Sequence, residues 1–176
     1  MQYYCNQFNI NYIKKIMKKI NLLLIAVFSF ISLSAQNTLP SVSLKTVDGK
    51  TVNTASLSEG KTIVISLWAT WCVPCKNELD AISDVYDEWQ DETNVELYAV
   101  SVDDSRTVKR VKPLVNGKGW DYKVLLDTNH DLKRALGVST VPVVLIVKDN
   151  KIVYRHSGYT EGAEDDLFEE IKKYSN

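Results

Sequence analysis

The chain has 176 residues, 45% of them hydrophobic, which is ordinary for one globular domain. Its formal net charge of -1 points away from nucleic acid or a strongly acidic surface as a partner. Residues 1–36 carry Lys14, Lys15, Lys18 and Lys19 and no acid, which leaves 17 basic against 22 acidic residues in the rest, a balance of -5.

The first segment reads as a secretory signal. Lys18 and Lys19 precede the apolar run "INLLLIAVFSFISL", and the small residues "SLSA" close it, with cleavage expected near Ala35 or Gln36. Residues 1–16 form an upstream extension if translation starts at Met17. The apolar run is shorter than the ~20 residues of a usual spanning helix, so an uncleaved membrane anchor is the weaker alternative. Cys5 leaves with this leader. The exported, periplasmic or otherwise extracytoplasmic domain, residues 37–176, then keeps one even pair, Cys72 and Cys75, away from the reducing cytosol.

After the leader, "VSLKTVDGKTVNTASL" alternates about Asp48-Gly49 and predicts a hairpin with a two-residue turn. The nearly unbroken apolar run "KTIVISLWAT" predicts a strand buried on both faces. From Val73 to Trp89, Leu79, Ile82, Val85, Tyr86 and Trp89 form a helical stripe. "VELYAVSV" is the next strand. "DDSRTVKRVKPLV" predicts a helix bent or ended by Pro113. The strand "YKVLLD" and a short helix "NHDLKRALG", stopped by Gly137, follow. Two strands in "VPVVLIVKDNKIVYRHSG" join at Asp149-Asn150, and "EGAEDDLFEEIKKY" closes the chain as a helix, acidic first and basic last, in accord with its dipole. Such an order predicts an α/β domain, a mixed sheet flanked by helices.

The motif "WATWCVPC" raises three uses for its cysteines. Zinc needs four ligands, and neither His130 nor His156 has a histidine partner nearby. Copper remains open as a non-catalytic alternative. A structural staple is poorly served by a bridge enclosing only Val73 and Pro74, because cross-link stabilisation grows with loop length. A redox pair fits best. A cysteine at a helix N-terminus meets unpaired N–H groups and the positive dipole end, both favouring thiolate. Cys72, the first and better exposed by position, is the expected nucleophile; Cys75, one turn inward, is the resolving thiol. Pro74 suits the first helical turn.

With "WATWCVPC", Glu78, "VLLD" (Val124 to Asp127) and "GVSTVPVVLIV" (Gly137 to Val147), the chain resembles the thioredoxin superfamily and, within it, the exported TlpA/ResA-like thiol–disulfide oxidoreductases. The resemblance covers essentially all of the domain from about residue 38. It implies a thioredoxin-like fold with an N-terminal β-hairpin extension and a redox-active Cys72–Cys75 disulfide that needs no metal or other cofactor. It also implies a cis bond between Val141 and Pro142, with backbone there gripping the substrate chain, and Trp71 shielding the disulfide at the same surface. Thioredoxins carry a buried aspartate where this chain has Ser66. Glu78 matches the glutamate that serves instead in the ResA-like branch, the competing reading being a solvated glutamate early in a helix. Asp103 or Asp104 corresponds to a second family acid. The activity implied is reduction of disulfides in other exported proteins, such as apocytochromes or copper-protein assembly factors, with a membrane thiol carrier restoring the dithiol. A dithiol oxidase of the same fold, a peroxide reductase and a copper- or protein-binding module are the alternatives.

Overall fold

Thr62–Trp68 (β3) is buried at every position, as its unbroken apolar run requires of a strand with layers on both faces. In the computed structural model, which describes Met17, Lys18 and residues 37–175, β3 pairs in parallel with Glu96–Ser101 (β4) and antiparallel with Val143–Lys148 (β6). Nearly all of β4 and β6 is likewise buried, so these three strands form the centre of the core. Lys123–Leu126 (β5) adds in parallel to β4, and Lys151–Ser157 (β7) adds antiparallel to β6 at one edge. Ser43–Thr46 (β1) and Thr51–Asn53 (β2) form the N-terminal hairpin, which joins through β1 to β5. The result is one mixed seven-stranded sheet, in the order β2-β1-β5-β4-β3-β6-β7. Residues from Leu39 onward form a single compact unit. The leader assigned to residues 1–36 lies outside the described residues, Met17 and Lys18 excepted.

Helices fill the connections. Val73–Thr93 (α1) follows β3, Val111–Lys118 (α2) follows β4, Asp131–Ala135 (α3) follows β5 and Ala163–Tyr174 (α4) closes the chain. The long α1 packs against α4, where Trp89 stacks on Phe168 with ring centroids 5.4 Å apart. Trp68, at the end of β3, meets Trp120 edge-on at 5.2 Å, and Tyr86 of α1 meets Tyr122 at 5.1 Å. The Tyr122 hydroxyl donates to the Leu79 carbonyl at 2.7 Å, which ties the first half of α1 to the segment entering β5.

Two local expectations need correction. The first hairpin does not turn on two residues. Thr46 N–H donates to the Lys50 carbonyl and Gly49 N–H to the Thr46 carbonyl, so Val47, Asp48 and Gly49 make a three-residue loop. Only Gly49, at φ 84°, takes the left-handed conformation, whereas a two-residue type I′ turn needs it at both central positions. The β6–β7 connection does meet that demand, since Asp149 and Asn150 have φ 48° and 62°. Pro113 does not end its helix, which runs on to Lys118. A 3₁₀ turn at Val108–Arg110 leads into α2, where Pro113 is the third residue. First-turn N–H groups have no partner inside an α-helix, so the missing donor there is tolerated.

Candidate active site

The sheet places the cysteine pair where β3 hands over to α1, at the C-terminal end of its parallel strands, a common location for sites in open α/β sheets. Cys72 N–H donates to the Ala69 carbonyl at 3.1 Å, which closes a turn and brings the chain round into α1. Cys72 is the N-cap, with extended φ and ψ of -89° and 104°. Val73 and Pro74 occupy the first two helical positions, where the proline's lack of an N–H has no consequence. The Cys75 N–H donates to Cys72 Sγ at 3.3 Å. Sulfur thus takes the place of the side-chain oxygen that usually caps a helix, and any negative charge on it faces the positive end of α1. The two cysteines form a disulfide, their Cα atoms 5.3 Å apart. Cys72 retains 6% of its surface and Cys75 none, so attack from outside can reach only the first sulfur.

The segment before β6 crosses this pair. The Val141–Pro142 peptide is cis. The Val141 carbonyl oxygen lies 3.8 Å from Cys72 Sγ, and the Pro142 carbonyl accepts the Gly158 N–H at 3.0 Å, which anchors the crossing segment to the end of β7. Trp71, 57% exposed, and Val73, 59% exposed, flank Cys72 in the chain. An apolar rim therefore adjoins the one accessible sulfur.

Glu78 is one turn beyond Cys75, on the buried side of α1. Its residue is only 4% exposed, so the solvated-glutamate alternative does not hold. Ser66 Oγ, on β3, donates to Glu78 Oε2 at 3.1 Å. Burial pushes the Glu78 carboxyl from its ordinary 4.5 up to about 7, with the Ser66 bond opposing that rise. A group poised there can take and release protons at neutral pH.

Of the two candidate acids after β4, Asp103 is fully buried and Asp104 is not. Asp103 Oδ2 accepts the Thr70 N–H and the Ser101 hydroxyl, each at 2.8 Å, and Oδ1 accepts the Thr70 hydroxyl at 2.6 Å. Asp104 instead receives Arg106, whose guanidinium holds the half-buried carboxyl below the usual range. Thr70, two residues before the first cysteine, was not singled out in the sequence. Its signal is a hydroxyl inside "WATWC" facing an acid that follows the neighbouring strand. Asp127 of "VLLD" is buried as well and accepts the N–H groups of Leu132 and Lys133 at 3.2 and 2.8 Å, so it caps the start of α3. His130 Nε2 lies 2.8 Å from the Val102 carbonyl, and His156 is exposed on β7.

Comparison with known proteins agrees with this architecture. A thioredoxin-like protein from Porphyromonas gingivalis, known from its solution structure, superposes with a TM-score of 0.69 and is 52% identical, over 78% of this chain and 91% of that one. The thiol-disulfide oxidoreductase ResA of Oceanobacillus iheyensis is 35% identical over 104 residues, covering 59% of this chain and 52% of that protein. ResA of Bacillus subtilis is 29% identical over 123 residues, covering 69% of this chain and 66% of that protein. The chain thus spans between about half and two thirds of the length of these curated relatives. The sequence profile of the AhpC/TSA family matches residues 35–156, which take in the cysteine pair, the Val141–Pro142 segment and all strands but the end of β7, and the chain belongs to that family of thioredoxin-like proteins.

Proposed function

We propose that the protein is an exported thiol–disulfide oxidoreductase that reduces disulfides in other exported proteins. One observation carries this reading: the only solvent-reachable sulfur of the pair sits at the head of α1, and its partner is one helical turn inward. In the reducing direction the Cys72 thiolate attacks one sulfur of the client disulfide, forms a mixed disulfide and expels one client thiolate. Cys75, deprotonated, then attacks Cys72 Sγ, closes the internal bridge and expels the second client thiolate. Two electrons pass from the dithiol to the client.

Each remaining part has a physical role in this scheme. Val141 and Pro142 present backbone to an extended client segment, a strand-like grip that takes many sequences, and Trp71 supplies apolar contact beside it. Glu78 serves as the base for Cys75. Residues 1–36 direct export, on the strength of Lys18, Lys19 and the apolar run after them. Apocytochromes or copper-protein assembly factors are the client classes, and a membrane thiol carrier restores the dithiol. The names of the ResA relatives support the reaction class.

The same site run backwards is a dithiol oxidase. The cap geometry favours that reading, because whatever stabilises the Cys72 thiolate stabilises the reduced form and raises the potential. Glu78 acts in the opposite sense when ionised. A measured reduction potential separates the two directions. The exchange reaction itself is tested with insulin as a disulfide substrate: wild-type protein should reduce it, Cys72→Ser should not, and Cys75→Ser should remain covalently attached. A Cys72→Ser variant with full activity would end this reading.

A further inference from the structure

The segment between α2 and β5 grips α1 just past the cysteines. Gly119, left-handed at φ 69°, ends α2 and turns the chain into a run in which Trp120, Tyr122 and Val124 are buried while Asp121 and Lys123 are exposed. The Tyr122 hydroxyl holds the Leu79 carbonyl, and the Trp120 Nε1–H donates to Asp80 Oδ1 at 3.0 Å. Lys118 also reaches Asp80, at 2.6 Å to Oδ2, but both of those side chains are well exposed, and such pairs contribute little. Trp120 is only 5% exposed, so its bond to Asp80 is the sheltered link. The same indole meets Trp68 edge-on, with ring centroids 5.2 Å apart. Trp68 is fully buried, and among the described residues its Nε1–H has no hydrogen-bond partner, so packing alone holds that ring.

Trp68 stands four residues before Cys72, and Asp80 five residues after Cys75, so one side chain touches both arms of the β3–α1 hand-over. Ala69 to Cys72 connect strand to helix and must absorb any shift between them. Thr70 is fixed by Asp103, which leaves the N-cap, Cys72, to follow the position of α1. While the bridge is closed, the S–S bond itself restrains Cys72. Once the pair is reduced that restraint is gone, and the packing of α1 on β3 takes over. We infer that Trp120 is a positioning residue for disulfide exchange: by joining Trp68 to Asp80 it fixes α1 against β3 and keeps Cys72 Sγ in the cap that receives the Cys75 N–H. A sulfur held there has its negative charge stabilised by the donor and by the helix dipole. The inference rests on the reading of Cys72 as the attacking thiol.

Trp120→Phe keeps a ring beside Trp68 and removes the donor to Asp80. Asp80→Ala and Asp80→Asn remove the same charge and the same Lys118 pair, but only asparagine keeps an acceptor for the indole. That second comparison decides the case should Trp120→Phe fail to fold. The experiment reduces full-length protein with dithiothreitol and follows alkylation of Cys72 by iodoacetamide against pH, at a temperature where denaturant melts show each variant folded. Glu78, one turn beyond Cys75, is intact in every variant, so its charge acts on all the profiles alike. In Trp120→Phe the alkylation midpoint should rise, with labelling near neutral pH slowed about threefold, which is about half a pH unit. The Asp80→Ala midpoint should lie above that of Asp80→Asn by a similar margin. Wild-type labelling in folded Trp120→Phe, or coincident profiles for the two Asp80 variants, would overturn the positioning role and leave Trp120 to the stability of the fold. Either result leaves the exchange reading intact, because Cys72 still takes the label. Wild-type protein whose Cys72 takes no label after reduction would overturn that reading and the positioning role together.

Discussion

Ser66 Oγ and Glu78 Oε2 lie 3.1 Å apart, and with that bond a helix supplies the buried acid that thioredoxins place on the strand. The strand contributes a hydroxyl and the helix a carboxyl to one buried contact. The hydroxyl donation favours the ionised form, whereas burial opposes it more strongly.

Ser66→Ala removes that donation. A neutral-to-charged hydrogen bond of about 1.5 kcal/mol corresponds to about one unit of pKa. The Glu78 titration should therefore move upward from about 7 by up to about one unit, as read from the carboxyl carbon signal in NMR on protein labelled at glutamate. A downward move would mean that the serine does not donate to the carboxylate.

Glu78→Gln should change the pH dependence of stability. The carboxyl is raised from 4.5 to about 7 on folding, so the folded state holds the proton more tightly than the unfolded state does. Its contribution is fully present below about 4.5 and is lost as pH rises through about 7. The glutamine variant avoids that loss. It should match wild type near pH 4 and exceed it at pH 8 to 9 by up to about 3 kcal/mol. Denaturant melts at the two pH values measure this. Equal stability at high pH would show that Glu78 is not buried as an ionisable group.

Asp103 anchors the approach to Cys72 by receiving both donors of Thr70. Asp103→Ala leaves a buried N–H and two hydroxyls without their acceptor and should lower stability by about 3 kcal/mol. Thr70→Val, which keeps the N–H bond and loses only the hydroxyl, should lower it by about 1 to 2 kcal/mol. Because the anchored segment ends two residues before Cys72, both variants should also exchange disulfides more slowly at temperatures where they remain folded. Wild-type exchange in folded Asp103→Ala would show that the anchor serves stability alone.

Much of this was legible in the chain because period and punctuation carry it. β3 announced itself by an unbroken apolar run, α1 by its stripe, and the β6–β7 turn by Asp149-Asn150, two residues that tolerate positive φ. Asp48-Gly49 offered the same signal and misled, since a three-residue loop with glycine last uses the same dipeptide one place along. Pro113 misled because a proline reads as a break unless the start of its helix is already known. In the site, the cysteines could be placed by position alone, since an N-cap follows from the strand-to-helix order. Burial of Glu78 could not. It depends on β6, β7 and α4 closing over α1, contacts distant in sequence. The choice between Asp103 and Asp104 likewise turns on which side chain points back toward Thr70, and adjacent residues of one loop carry no such mark.

Differential alkylation of the reduced protein bears most directly on the two-sulfur cycle. After mild treatment with dithiothreitol and removal of the reductant, a brief exposure to iodoacetamide followed by peptide mass mapping should find the label on Cys72 and almost none on Cys75, and reoxidation of unlabelled protein should restore the bridge. A pair that stays bonded under that reductant, or a label that falls on Cys75 first, would contradict a cycle that begins at the head of α1.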